Sequence, residues 1–128
     1  MTGARPGRDQ RVLLQLVEQV GGDLGDLDQL EQYALIAPRP GTGHYDADSL
    51  VIATTARELA EFGFEPRHLR AFKTAADREV GLVEQVVAPL QRGRDSSAKA
   101  RADDAVLEIA ALSVRLHATL VKSGLRRS

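Results

Sequence analysis

A group of basic side chains near the start of one predicted helix has the chemistry to bind an anion. Pro66 suits the first position of that helix, because a first-turn residue needs no amide donor. Cationic donors at the positive end of a helix dipole favour phosphate or carboxylate, so we predict an anion or effector contact here. The group comprises Arg67, His68, Arg70, Lys73 and, farther along the helix, Arg78. The alternative is a solvated helix face, which is the more common role of surface charge.

Arg78 has a second interpretation, because its guanidinium fork is also suited to bind a carboxylate of another element. Its neighbours Asp77 and Glu79 could pair with it locally, and Glu79 or Glu84 of another element could pair with it across an interface. An interface ion pair and an effector contact therefore both stay open for Arg78, although a surface ion pair by itself adds little stability.

The three histidines raise the question of a metal site. His44 stands near Asp46 and Asp48, whereas His68 and His117 lie on different predicted helices. Asp46 is needed to cap a helix, so we predict no metal ligand set. The absence of cysteine excludes disulfides and thiolate zinc sites. No Gly-rich phosphate loop, nucleophile elbow or acid-base pair of carboxylates is present, so we predict neither an enzyme nor a bound cofactor.

The composition describes one small, helix-rich domain. The 128 residues allow a modest hydrophobic core. Aromatic residues make up only 4% and Trp is absent, so Leu, Val, Ile and Ala must fill the interior, as in packed helices. The formal net charge of -1 provides no general attraction for nucleic acid. No segment has the apolar length of a signal peptide or membrane span, so we predict a cytoplasmic protein without membrane contact.

Apolar residues recur at helical spacing in the first third of the chain. Residues 9–20 predict a first helix, and Gly21 with Gly22 ends it. Asp23 can cap a second helix that runs to about Ala34.

This second helix stands where the recognition helix of a DNA-binding domain would stand. However, the helix and its cap contain several carboxylates and lack both Lys and Arg. These acids are Asp23, Asp26, Asp28 and Glu31. They should repel DNA phosphates, so a structural role is favoured over DNA reading.

The segment that follows the second helix predicts a small β-hairpin. Residues 35–37 (LIA) and 44–45 (HY) flank PRPGTG, whose prolines and glycines suit a loop between two very short strands. Two short helices and such a hairpin indicate a degenerate winged-helix core. The expected fold is therefore mainly α, with a winged-helix core, a small β-hairpin wing and long C-terminal helices.

Two further helices are predicted before a break in the chain. Asp46 can cap the run DSLVIATTARELAEF, and Gly63 ends that third helix. An amphipathic fourth helix begins at Pro66 and reaches about Val87. Pro89 and the polar QRGRDSS stretch then predict a break.

The last predicted helix is the clearest interaction element. It spans about Ser97–Ser123, with Gly124 as its end. Its apolar residues repeat at near-heptad steps and form a stripe wider than one small domain needs, which favours homodimerisation. The predicted contact residues are Ile109, Leu112, Leu116 and Leu120, while Val106, Ala110, Val114 and Val121 widen the apolar surface. The alternative for this stripe is packing within one chain.

The amino-acid sequences of several segments resemble the C-terminal half of MerR-type transcription regulators, in the group linked to cell division in actinobacteria. These segments are EQYALI, HYDADSL, EFGFEPRHLRAFKTAADREVGLVEQVVAPL and ALSVRLHATLVKSGLR. The likeness covers Asp9 to Arg126 and is most distinctive from Glu65 to Leu90. It implies a regulator whose N-terminal part binds DNA and whose C-terminal half dimerises or senses an effector. The chain resembles only that second half.

Two hypotheses for the function follow. In the first, the chain is the dimerisation and effector-sensing half of a MerR-type regulator, with DNA bound by the assembled regulator or through a missing N-terminal domain. In the second, it is a stand-alone protein interaction module without DNA binding. Within either, residues 1–8 are predicted to be a flexible segment, 9–65 the winged-helix-like part and 66–128 the long helices, with 9–128 forming one domain.

Overall fold

The computed structural model describes residues 10–92 and 95–128, and for residues 10–14 the backbone alone. The chain divides into two compact units, residues 1–74 and 75–128, at a point inside the fourth helix. The helices of the described residues are α1 (Gln10–Val20), α2 (Leu24–Gln32), α3 (Ala47–Ala60), α4 (Pro66–Leu90) and α5 (Ser96–Arg127). The predicted flexible segment 1–8 lies outside the described residues, and the boundary at 65/66 stays a prediction.

Aspartate side chains cap three of the helices. Asp23 accepts a hydrogen bond from the Gly25 amide at 3.3 Å, and Asp46 accepts one from the Ser49 amide at 2.8 Å. Both caps were predicted from the sequence and are confirmed. Asp95 does the same for α5, at 2.6 Å from the Ala98 amide. Such caps satisfy amides that have no partner inside the helix.

Glycine ends two helices as predicted, but the helix end predicted at Gly124 is wrong. Gly21 follows α1 with φ +79 and Gly63 follows α3 with φ +99, a conformation that only glycine adopts at little cost. The break predicted at Pro89 and QRGRDSS is confirmed between α4 and α5, with Pro89 in the last turn of α4, whereas Gly124 lies inside α5. Proline and glycine weaken a helix interior without always ending it, so neighbouring residues that favour helix can continue it.

The first unit has a compact apolar core. Helix α1 packs against both α2 and α3. The buried residues come from each helix of the unit and from the segment between α2 and α3: Leu16, Val20, Leu27, Leu30, Ile36, Ala53 and Leu69. Burying one such Leu or Ile side chain contributes about 1.5–3 kcal/mol, so these contacts hold the helices together.

The predicted β-hairpin wing is wrong, and the winged-helix core is wrong with it. Between α2 and α3, all of whose residues are described, there is no strand, only an isolated antiparallel bridge between Pro38 and Tyr45. The Leu35 amide donates to the Leu30 carbonyl at 2.9 Å and so closes α2, while the Ile36 side chain enters the core. The LIA segment therefore completes a helix end instead of pairing as a strand, and Pro38 has no amide to donate. The mainly α class is confirmed.

The second unit consists of the C-terminal part of α4, a short connection and α5. The side chains of Glu79 on α4 and His117 on α5 join the two helices through an ion pair. Val87 and Ala102 are the buried apolar residues among the described part of this unit. No helix of the described residues has both the length and the apolar character that a membrane span needs.

Candidate functional site

The predicted anion group at the start of α4 is largely occupied by contacts within the chain. Arg67 Nε lies 2.6 Å from Glu65 Oε1, and His68 Nδ1 accepts a hydrogen bond from the Glu65 amide at 2.9 Å. The Arg70 guanidinium stacks over the Tyr33 ring, 5.1 Å from its centre. Lys73 is half-buried and also has an interaction partner. Four of the five predicted residues thus lie in the first unit, whereas Arg78 lies in the second.

A cleft of about 500 Å³ opens beside this group in the first unit. Its lining mixes charges and an aromatic ring: Asp26, Gln29, Tyr33, Glu65, Pro66 and Arg67. Burial raises the pKa of the Asp26 carboxyl, and the negative charges of Asp23 and Glu65 raise it further. The cleft therefore presents carboxylates as well as Arg67, which makes it less favourable to an anion than the sequence pattern alone indicated.

The histidines do not form a metal site. No group of His, Asp and Glu side chains among the described residues is arranged to hold a metal ion. His44 is exposed, and its backbone carbonyl accepts a hydrogen bond from the Arg39 amide at 2.7 Å. Asp46 is used as the cap of α3. The cap therefore occupies the carboxylate that a site at His44 would need.

The acidic residues of α2 have local structural contacts. Asp23 caps the helix, and Asp28 accepts a hydrogen bond from the Gln32 side chain at 2.8 Å. The Tyr45 hydroxyl donates a hydrogen bond to Glu31, and burial together with this bond raises the pKa of Tyr45. These contacts give Asp23, Asp28 and Glu31 a structural role. The helix contains no Lys or Arg that would attract DNA phosphates.

Helix α5 has one side that is covered within its own unit. At about 100° per residue, Ala102, Ile109 and His117 fall on the same side of the helix. Ala102 is buried, Ile109 is half-buried and His117 bonds to Glu79 of α4. Part of the apolar stripe predicted from the sequence therefore packs against α4 of the same chain. Packing within one chain was the alternative to homodimerisation for this stripe.

The rest of the predicted dimerisation face is uncovered. Leu112 is 47% exposed, and Leu116 and Leu120 are each 62% exposed. Ile109 stands at the border between the covered and uncovered parts of this face. We call the set Ile109, Leu112, Leu116 and Leu120 the predicted face.

A second apolar stripe lies on the opposite side of α5 from Ala102 and Ile109. Its members follow one another at steps of four and three residues, the spacing of heptad positions a and d. They are Leu107, Ala111, Val114, Ala118, Val121 and Leu125, and we call them the outer stripe. Leu107 is 71% exposed and Leu125 is 70% exposed. Val114 and Val121 were predicted only to widen a single stripe, although the heptad spacing in the sequence indicates a separate one.

Charged residues flank the outer stripe at a constant offset. Glu108, Arg115 and Lys122 each directly follow a stripe residue, seven residues apart, and all three are exposed. In heptad terms they occupy position e, beside the apolar seam. The acidic member lies towards the N-terminal end and the basic ones towards the C-terminal end.

A comparison with known protein families identifies the family of this helical chain. The model of the family described as "Rv1828-like, C-terminal domain" matches residues 13–128. The chain belongs to this family. The match extends over α2 to α5 and most of α1, so it includes the whole second unit and most of the first.

Two curated relatives support the same assignment. One is "Uncharacterized HTH-type transcriptional regulator Rv1828" of Mycobacterium tuberculosis (strain ATCC 25618 / H37Rv), and the other is "Uncharacterized HTH-type transcriptional regulator Mb1859" of Mycobacterium bovis (strain ATCC BAA-935 / AF2122/97). Each is 44% identical over 126 residues, which are 98% of this chain and 49% of the relative. The chain thus spans about half the length of these relatives, and their names describe regulators, not enzymes.

Proposed function

We propose that this chain is the self-associating and effector-responding half of a MerR-type transcription regulator, in which another part of the assembled regulator reads DNA. Its family and its relatives, which are named helix-turn-helix regulators, support a role in regulation. The MerR subtype and the link to cell division come from the resemblance of the segments quoted above. The acidic α2 supports the placement of DNA reading elsewhere, because its carboxylates oppose contact with phosphates.

The observation that carries the self-association proposal is the uncovered apolar surface of the second unit. Eleven large apolar residues there are exposed, whereas Val87 is the one large apolar residue that is buried among its described residues. The exposed set is Val80, Leu82, Val86, Leu90, Leu107, Leu112, Val114, Leu116, Leu120, Val121 and Leu125. Monomeric proteins rarely leave large apolar patches in water, so we expect a protein surface to cover part of these side chains. A second copy is the simplest cover.

Sedimentation equilibrium of the Leu112→Glu/Leu116→Glu variant tests this proposal. We expect the unchanged chain to approach twice its mass of 13.9 kDa as concentration rises. The variant places two charges on the predicted face, where desolvating them opposes association, so it should stay monomeric. Circular dichroism should show the same helix content for both proteins, because both leucines are exposed.

Val51→Glu is the matched control, since Val51 is 64% exposed on α3 in the other unit. It should dimerise like the unchanged chain. A chain that stays monomeric over the whole concentration series would contradict self-association and would favour the module that pairs with another protein. Full dimerisation of the Leu112→Glu/Leu116→Glu variant would mean that the predicted face is not part of the interface.

For the effector contact, we propose Arg67, which lines the cleft of the first unit, together with His68, Arg70 and Lys73 next to it on α4. Arg78 lies in the second unit, and a contact there stays a separate prediction. Arg67 lines this cleft, and its pairing with Glu65 is exposed, so a ligand carboxylate or phosphate can replace that partner at little cost. A rise in melting temperature with inorganic phosphate that Arg67→Gln abolishes and Arg101→Gln retains supports the contact. No rise for the unchanged chain with phosphate or small carboxylates contradicts it.

A further inference from the structure

A small cavity of the first unit combines apolar walls with charges of both signs. It lies between α2, α3 and the start of α4 and has a volume of about 40 Å³. Since a cavity of about 15 Å³ already holds a water molecule, this one has room for a short aliphatic group. Its apolar walls include Leu27, Leu30, Ala53, Ala56, Phe64 and Leu69, and its charged residues are Asp23, Asp26 and Arg57.

The apolar part of the cavity belongs to the core of the first unit. Leu27 is 2% exposed, Leu30 is 1% exposed and Ala53 is 0% exposed. On α3, Ala53 and Ala56 carry only a methyl group each, so no larger side chain fills the space towards α2. A water molecule there would find few hydrogen-bond partners, so an aliphatic group occupies the space more favourably.

Arg57 supplies an unused donor beside the cavity. Its Nε is buried and has no hydrogen-bond partner. Its Nη1 lies 3.3 Å from Glu61 Oε2, and both side chains are partly exposed. Such an exposed ion pair contributes little, so the guanidinium can turn towards a ligand at little cost. A carboxylate is the matching ligand group, because it accepts two parallel hydrogen bonds from the guanidinium fork.

Asp26 supplies the opposite charge. It is exposed and lines both this cavity and the larger cleft described above, so it lies where the two meet. Among the ion pairs of the described residues, Arg57 joins Glu61 and not Asp26. The negative charges of Asp23 and Glu65 act on the Asp26 carboxyl. An ammonium group is therefore the favourable ligand group beside Asp26.

We propose that this cavity binds a small aliphatic α-amino acid. The carboxylate of the ligand pairs with Arg57, its ammonium group pairs with Asp26, and its side chain enters the apolar part. A simple anion fits less well, because it would also meet Asp23 and Asp26. This inference rests on the proposed role of the chain as the effector-responding half of a regulator, and it names the ligand class. It is separate from the phosphate contact at Arg67.

Thermal melts with L-alanine and L-valine test the ligand class. Both amino acids should raise the melting temperature of the chain as their concentration increases. Propionate has the carboxylate without the ammonium group, and ethylamine has the ammonium group without the carboxylate. Each of these two should raise the melting temperature clearly less at equal concentration. No rise with either amino acid up to about 10 mM, or an equal rise with propionate or ethylamine alone, overturns the proposal.

Two charge-removing variants test the site. Arg57→Gln and Asp26→Asn should each increase the L-alanine concentration that gives half of the rise roughly tenfold or more, because each removes one charged contact. Arg101→Gln and Asp103→Asn make the same changes at exposed positions of α5 and should respond like the unchanged chain. An unchanged response of Arg57→Gln or Asp26→Asn contradicts the site.

Ala56→Leu tests the apolar part without changing a charge, because the larger side chain fills the cavity from α3. It should abolish the response to L-alanine and keep the helix content seen by circular dichroism. A retained response overturns the placement of the ligand. Arg67→Gln should keep the response, since Arg67 lines the neighbouring cleft. If the chain dimerises but neither amino acid raises its melting temperature, this site fails and the proposed self-association stands.

Discussion

Single side chains explain where the helices begin. Asp46 follows a turn and precedes an apolar-periodic run, and its carboxylate reaches the Ser49 amide. This contact is local, within four residues, which is why the sequence predicted it correctly.

The cap at Asp46 predicts a pH dependence of stability. The Ser49 backbone amide lowers the pKa of Asp46 below its ordinary value of 3.8. A lowered pKa in the folded state means that the ionised cap stabilises the fold above pH 3.8 and that this contribution is lost as pH falls below it. Asp46→Asn keeps an acceptor without the charge, so its melting temperature should approach that of the unchanged chain as the solution is acidified.

Asp46→Ala serves as the control, because it removes the acceptor altogether. It should melt below both other proteins at neutral pH, since its Ser49 amide loses its partner. Thermal melts at a series of pH values measure the three proteins together. A gap between the unchanged chain and Asp46→Asn that does not change with pH would contradict the role of the charge.

At the scale of the elements, glycine has opposite roles at two exposed positions. Gly63 ends α3 with φ +99, and the following amide of Phe64 donates to the Leu59 carbonyl at 3.2 Å. Gly81 lies in the interior of α4. A Cβ added at either position would meet no atom within 4 Å. Packing is therefore the same for both, and backbone conformation alone distinguishes them.

Alanine at these two positions should shift stability in opposite directions. Gly81→Ala should raise the free energy of unfolding by about 0.5–1 kcal/mol, because alanine favours a helix interior. Gly63→Ala should lower it by about 1–2 kcal/mol, because a Cβ strains the left-handed conformation. Urea denaturation of the two variants measures both values. The same sign for the two changes would be inconsistent with the helix boundaries described here.

At the scale of the whole molecule, the two units differ in how they bury apolar residues. The first unit encloses a core to which all of its helices contribute. The second unit buries only Val87 and Ala102 among its described residues and leaves most of its large apolar side chains in solvent. The self-association proposed above would cover the exposed side of helix α5. This imbalance connects the fold to the proposed role of the chain in an assembled regulator.

The sequence by itself determined the local features of this chain and indicated a transcription regulator. Caps, helix-ending glycines and apolar periodicity depend on residues a few positions apart, and they predicted all five helices. The resemblance also led to a regulator, in agreement with the names of the two relatives. Only the tertiary structure decided that LIA closes α2 and fills the core, and that one side of α5 is covered while its opposite stripe is open. Periodicity shows that a face is apolar, but what covers that face depends on residues distant in the chain.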